Sequence, residues 1–325
     1  MFSKEQIFKV SANDFEQLAL RVFAHQYANI EVYRQFSDMM SKTPQSVETI
    51  TQIPFLPIQF FKSHRIIQTN QAEQLIFESS GTTDSVFSKN YVTDISWYEE
   101  SFTRGFELFY GSPSDYVFLG LLPSYIERQN SSLIYMVNHF MKLSGKNANG
   151  FFLDDFAGLF DMLDVLKTGK RKAVLFGVTY ALLDFVKEKK IDFPDLIVIE
   201  TGGMKGRREE LSRHAVHQIL RTGFGVSQAH SEYGMTELFS QAYSRANGIF
   251  QTPPWMKILL RDTSEPTQVH LSGRQGAINI IDLANVNSCS FIATDDIGSL
   301  RPDGAFEVFG RAQTAEQRGC NLMVE

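Results

Sequence analysis

Apolar positions recur at two different periods along this chain, and the change from one to the other organises it. Between residues 13 and 40, Phe15, Leu18, Val22, Phe23 and Tyr27 recur at helical spacing behind a capping Asn13 or Asp14, so one amphipathic N-terminal helix is expected. Pro44, Pro54 and Pro57 then break regular structure, and the apolar segment 53–62 must be covered, as a packed crossing segment would be. From about residue 65, β-rich runs alternate with helical periods. Residues 74–77, 116–122, 173–177 and 196–199 are predicted strands, and 96–110, 131–143, 180–189 and 208–222 predicted helices. That alternation predicts an α/β fold with buried parallel strands joined by helical crossovers. After Pro253 and Pro254 the pattern turns to β again, with predicted strands at 256–260, 277–281 and 306–309 in a smaller β-rich subdomain. The domain reading is an α/β core with its N-terminal helical segment over 1–250 and the β-rich subdomain and tail over 251–325.

Composition narrows the class. Hydrophobic residues at 43% and charged residues at 21% of 325 suit a folded globular protein rather than a disordered or fibrous one. Lys and Arg total 31 against 37 Asp and Glu, a net charge of -6, which is the wrong sign for a general nucleic-acid binder. No apolar run approaches the ~18 residues of a membrane span. Lys4, Glu5, Lys9 and Asp14 interrupt the N-terminus where a secretory signal would need its apolar stretch, so a cytoplasmic location is expected. The two cysteines, Cys289 and Cys320, indicate neither a disulfide framework nor a zinc site.

Three segments carry candidate chemistry. Glu78-Ser79-Ser80-Gly81-Thr82-Thr83-Asp84 follows a predicted strand, and small hydroxyl residues around a glycine let N–H and O–H donors converge on an anion; a Ser/Thr-rich turn is the plain alternative. It is not a Walker A loop, because no Gly-Lys-Ser/Thr ending follows. Ser231-Glu232-Tyr233-Gly234-Met235-Thr236-Glu237, preceded by Glu200-Thr201-Gly202-Gly203-Met204-Lys205-Gly206, offers a ring to stack on a purine, a hydroxyl for phosphate and a carboxylate for Mg²⁺. Tyr233 in the core and Glu237 on an exposed helix are the bland readings. Ala293-Thr294-Asp295-Asp296-Ile297-Gly298, taken alone, is expected to be a turn.

In this order, and with Gly310-Arg311 after them, the segments resemble the signature motifs of the adenylate-forming superfamily. Within it the chain looks most like the acyl-protein synthetase family, the LuxE-type fatty-acid-activating ligases of bacterial reductase complexes. The segment 54–62, Glu78 to Thr83, Glu200 to Gly206 and Arg318-Gly319-Cys320 carry that likeness. The resemblance implies the N-terminal-type domain of adenylate-forming enzymes: mostly parallel sheets flanked by helices, a smaller β-rich subdomain, and none of the usual mobile C-terminal domain. It implies ATP and Mg²⁺ as cofactors. Ser79, Ser80, Gly81, Thr82 and Thr83 would contact the ATP phosphates, with Thr82 also catalytic. Gly202 and Gly203 would approach the adenine, and Tyr233, next to Gly234, would stack on it. Thr236 would bind phosphate, Glu237 would coordinate Mg²⁺, Asp296 would hold the ribose, and Arg311 would contact ribose or phosphate. The substrate implied is a carboxylic acid, fatty or aromatic. An acyl reductase or acyl carrier would be the partner, with no nucleic acid and no membrane span.

The chain departs from the superfamily pattern at two places. Asp84, Val86 and Phe87 stand where the phosphate loop usually continues with Gly, Pro and Lys, and the acid expected at the hinge is Gln313. The superfamily's C-terminal domain carries a lysine that aids adenylation, and Lys205, Arg207 and Arg208 are candidates to replace its charge, with a solvated basic turn at a helix start the plainer reading of the two arginines. In the family the acyl group passes to a cysteine near the C-terminus, which Cys320 matches, with Arg318 nearby to favour the thiolate; an inert thiol is the alternative. Cys289 is expected to pack. His214 and His217, three apart on a predicted helix, lack a third ligand and suit a surface helix, while His230 either lines the site or makes a structural hydrogen bond. The acyl pocket is expected near Pro123-Ser124-Tyr125 and Ser131-Ser132, at a strand's carboxyl end. An aryl- or acyl-CoA ligase of the phenylacetate type and a non-catalytic nucleotide- or acyl-binding subunit are the alternative functions.

Overall fold

The computed structural model describes residues 2–79, 87–122, 130–153, 155–202, 211–273 and 275–311. The chain opens with three helices, α1 (Lys4–Phe8), α2 (Phe15–Asn29) and α3 (Glu31–Met39). The single helix expected over 13–40 is thus two, broken at Ile30, which adopts φ -119°, ψ 104° and is buried. Buried Gln26 fastens α2: its Nε2 donates to the Asn285 and Val286 carbonyls and Ser290 Oγ, and its Oε1 accepts from Ser290 N. The crossing segment holds the short strand β1 (Leu56–Pro57) and helix α4 (Phe60–Ser63).

Next come β2 (Leu75–Glu78) and β3 (Lys89–Val92), then α5 (Ile95–Tyr110), β4 (Val117–Leu121), α6 (Ser132–Ser144), β5 (Gly150–Phe151), α7 (Phe156–Thr168) and β6 (Ala173–Val178). They are followed by α8 (Thr179–Glu188), β7 (Ile197–Thr201), α9 (Arg213–Phe224), β8 (His230–Tyr233) and β9 (Ala242–Ser244). Six strands form one sheet in the order β5-β4-β6-β7-β8-β9, parallel except for the last pair. Every residue of β4 and β6 is buried, as strands covered on both faces must be. On one face α5 and α6 pack Phe106 and Phe140 against Phe118, with Phe140 also on Phe176. On the other, Leu182 of α8 lies so close to Gly177 that a Cβ there would meet its Cγ at 2.5 Å. Helix α9 starts at Ser212, whose hydroxyl accepts from Ala215 N, and ends at Gly225, whose φ of 68° suits a residue without Cβ.

The last strands are β10 (Met256–Arg261), β11 (Val269–His270), β12 (Gln275–Asp282), β13 (Phe291–Leu300) and β14 (Phe306–Arg311). They form a second sheet, β1-β13-β12-β10-β11 with β14 on β13, antiparallel except where β1 joins β13. Two further expectations change. Residues 74–77 fall on β2, which pairs antiparallel with β3 in a hairpin outside the parallel sheet. Thr294 to Gly298, expected as a turn, lie inside β13, because β12 and β14 flank it and satisfy its backbone. The two large sheets are tied where Phe250 and Phe306 exchange backbone hydrogen bonds of 2.8 and 3.0 Å.

Candidate nucleotide and acid-activating site

Strand β8 ends at Tyr233, and Gly234 to Glu237 turn away from the sheet at its carboxyl edge. Tyr233 is buried against Phe250 and Phe306, and its hydroxyl donates to Asp296 Oδ2 at 2.8 Å. That bond joins the first sheet's motif to the second sheet's. Asp296 faces Arg311 across β13 and β14, and its amide donates to Thr294 Oγ1 at 3.2 Å. Burial raises the Asp296 carboxyl above its ordinary value, while Tyr233 and Arg311 act to lower it.

The β2–β3 hairpin closes on the same loop. Ser79 and Ser88 are bound to each other, Ser79 N to the Ser88 carbonyl and Ser88 N to Ser79 Oγ, both at 3.0 Å. Asn90 Nδ2 donates to the Thr236 carbonyl at 3.0 Å, and the Ser88 hydroxyl bonds the Glu237 carboxyl. Glu237 is buried; burial pushes its carboxyl up, with Ser88 and Arg311 opposing and Asp296 adding to the rise. Behind the loop, the Asp282 carboxylate accepts from Phe239 N, Ser240 N and Ser240 Oγ at 2.6–2.9 Å. In front, Gln59 Nε2 reaches both Asp295 oxygens at 2.7 and 2.9 Å, and Arg261 donates to the Thr294 carbonyl. The crossing segment therefore packs, as expected, and also supports the Thr-Asp-Asp strand.

At the end of β7, Gly202 has φ 69°. Thr179 Oγ1 lies 2.5 Å from the Gly202 carbonyl and 2.7 Å from Glu200 Oε2, with one proton for the two acceptors. Glu200 is buried, and burial opposes its charge, yet His217, Arg213, Ser231 and Thr179 together hold its carboxyl below the ordinary value. His217 is accordingly not on a surface: it is buried with Nε2 2.9 Å from Ser231 Oγ, because β8 places a polar serine under α9. His230 makes the structural bond, 3.1 Å to Tyr110 Oη, and burial first, then Arg245 and His217, lower it to about 4. Glu232 accepts from Thr201 Oγ1, and burial raises it to about 7, with the Glu200 charge contributing.

The structure thus brings together Ser79, Tyr233, Thr236, Glu237, Asp296 and Arg311, with Gly202 at the neighbouring strand end and Gly234 inside the loop. Ser80, Gly81, Thr82, Thr83, Gly203, Lys205 and Cys320, and the proposed pocket at 123–125, lie outside the described residues. Cys289 packs as expected, its Sγ 3.3 Å from the Phe291 carbonyl, and burial pushes the thiol up to about 12. Sequence reasoning missed Ser88, Asn90, Gln59 and Arg261, whose roles depend on pairings distant in the chain. Among the described residues no helix is long and apolar enough to cross a membrane.

Solved structures share this architecture. The 2-hydroxyisobutyryl-CoA ligase in its postadenylation state superposes with a TM-score of 0.67 at 12% identity, over 95% of this chain and 70% of that protein. ATP-bound MatB from Rhodopseudomonas palustris gives 0.56 at 17% identity over 74% of this chain, which spans about half (49%) of that protein. The fold is that of adenylate-forming enzymes. Two curated relatives are both long-chain-fatty-acid–luciferin-component ligases. The Vibrio harveyi protein is 25% identical over 96% of this chain and 88% of its own length, and the Aliivibrio fischeri protein 25% identical over 94% and 86%. With residues 2–325 matching the family described as Acyl-protein synthetase, LuxE, the chain belongs to that family of ligases.

Proposed function

We propose that this protein activates a fatty acid with ATP and Mg²⁺ and passes the acyl group to a thiol, Cys320, for delivery to a partner such as a reductase. The observation that carries this is the Tyr233–Asp296 bond, which closes the carboxyl edge of the parallel sheet against the Thr-Asp-Asp strand with Glu237 and Arg311 alongside. A carboxylate oxygen of the acid forms a bond to the α-phosphorus of ATP while the bond to pyrophosphate breaks, leaving an acyl-adenylate. A thiolate then attacks the acyl carbon and AMP departs. Such chemistry rests on positioning and on neutralising phosphate charge.

Each residue group has its part. Ser79 to Thr83 and Thr236 donate to phosphate, with Thr236 held through its carbonyl by Asn90. Gly202, where a Cβ would meet no atom within 4 Å, leaves room for the adenine beside Tyr233, with Gly203 assigned there by the family pattern; Asp296 accepts from the ribose, Arg311 offsets phosphate charge, and Lys205 would add positive charge. The oxygen donors at Glu237 and Ser88 suit a hard cation, and Glu237, raised by burial, is short of positive charge. The ion would be held by the Glu237 carboxylate and the substrate's own phosphates. When bound, Mg²⁺ supplies neutralisation of phosphate charge. Burial pushes the Cys289 thiol up to about 12, which disfavours it as an acyl acceptor, whereas Cys320 matches the cysteine near the C-terminus to which the family passes the acyl group.

The test is intact-protein mass spectrometry after incubation with ATP, Mg²⁺ and a mixture of fatty and aromatic acids, with pyrophosphate followed in the same samples. A hydroxylamine-labile adduct that is lost in Cys320→Ser is the expected result, and its mass identifies the acid. Pyrophosphate without an adduct moves the acceptor to coenzyme A or a carrier. Absence of pyrophosphate with every acid overturns the adenylation reading in favour of a binding subunit.

A further inference from the structure

A cavity lies along α9, and none of the residues assigned above to ATP lines it. Its volume is about 590 Å³, within the ~300–1,000 Å³ typical of small-molecule sites. Arg213, His217 and Arg221 follow one another at helical spacing of four, so they share one face of α9, with His214 and Gln218 on the adjacent row. Gln228 and Asn247, which bear side-chain amides and lie outside α9, also line it.

The charge of this lining contrasts with that of the whole chain. Two arginines and two histidines line it and, among the described residues, no carboxylate does, Glu200 lying beside Arg213 and His217, although the chain's net charge is -6. Arg213 is partly engaged, 3.5 Å from Glu200 Oε1 and donating to the Val308 carbonyl at 3.0 Å. Arg221 is exposed and has no ion-pair partner among the described residues. His217 directs Nε2 to Ser231, with Glu200 Oε1 3.6 Å from the same nitrogen, and its other ring nitrogen has no hydrogen-bond partner among the described residues. The Arg221 guanidinium and the amide donors around a cavity of this size, with Arg213 beside them, match the acceptor oxygens of a phosphate attached to a larger polar body, since guanidinium forks bind phosphate bidentately and amides serve its neutral part.

From the cavity, its one-sided charge and its free donors, we infer that the α9 groove is a second anion site that takes an organic phosphate of nucleotide size, separate from the ATP site. Arg213, a groove residue, stands between the two sites, because its charge acts on both Tyr233 and Asp296. An occupant of the groove would therefore be felt at the ATP site through Arg213.

The experiment is calorimetric titration of the full chain with adenosine 3′,5′-bisphosphate, once with the protein alone and once with a non-hydrolysable ATP analogue at saturation. One saturable site per chain that persists beside the analogue is expected, weakening with added salt. Arg221→Glu and Gln218→Glu, both at exposed positions, should each lower its affinity at least tenfold while leaving analogue binding unchanged. No saturable site beside the analogue overturns the inference. So does wild-type affinity in both variants, or a bisphosphate no tighter than inorganic phosphate, which would mean a general anion patch only. An analogue that itself fails to bind counts against the ATP reading, and the groove is still read from the titration of the protein alone.

Discussion

Replacing Glu232 by glutamine isolates the titration of one buried carboxyl. Glu232 lies at the end of β8 with Thr201 Oγ1 donating to it, and burial, reinforced by the Glu200 charge, raises it from an ordinary 4.5 to about 7. Between those values the folded chain holds a proton that the unfolded chain has released, so stability falls as pH rises through this interval and levels off above it. At 1.36 kcal/mol per pH unit the whole interval is worth roughly 3 kcal/mol. Glutamine keeps an acceptor for Thr201 and cannot ionise. Urea denaturation of the two proteins at pH 5 and pH 8.5 reads the difference directly. The Glu232→Gln protein should match or slightly exceed the wild type at pH 5, and its advantage should widen by roughly 2–3 kcal/mol at pH 8.5. A stability gap that stays the same at both pH values refutes the assignment, and a gap that narrows reverses its sign.

Three other substitutions probe the site's supports. Gly234→Ala sets a Cβ against Glu232 Oε1 and 3.3 Å from Gln241 Cγ, so it should cost about 1–3 kcal/mol in urea melts and raise the KM for ATP. Asp282→Asn turns an amide toward the donors of Phe239 and Ser240, so a loss of about 2–4 kcal/mol in the same melts is expected; a change under 1 kcal/mol would show that the carboxylate is not their anchor. Glu237→Gln should lower pyrophosphate release by roughly a hundredfold and abolish its response to Mg²⁺, with stability kept. Because burial raises both Glu237 and Asp296, the acid limb of wild-type activity should lie above the ordinary carboxylate range, read from kcat/KM against pH.

How far the chain could be read without its structure follows from the range of each signal. The strands at 116–122 and 173–177 and the helices after them were legible because they are contiguous and carry their own period and caps. Gly145 and Gly225, at φ 61° and 68°, end α6 and α9 where a left-handed residue was needed. The N-terminal helix was read as one because its apolar spacing continues through Ile30, and the break comes from docking on β13, where Tyr33 stacks on Phe291 at 5.9 Å. The segment Thr294 to Gly298 looked like a turn because paired acids favour turns locally, whereas β12 and β14 on either side hold it extended.

The site divides the same way. Tyr233, Thr236, Glu237 and Asp296 were named from the order of short motifs, since the chemistry of phosphate and ribose demands those side chains wherever the backbone runs. Ser88, Asn90 and Gln59 were not, because a serine, an asparagine or a glutamine acquires a role only from its partner, and those partners lie 149, 146 and 236 residues away. His217 was taken for a surface residue because helical spacing does not say which face meets a sheet, and Ser231 beneath it buries the ring. The sequence by itself determined the layered α/β class, the family and the candidate side chains of the site. Only the tertiary structure decided which carboxyls burial pushes up, which side chains steady the loop and where a basic groove opens, because burial and long-range pairing set those properties and neither is local in the chain.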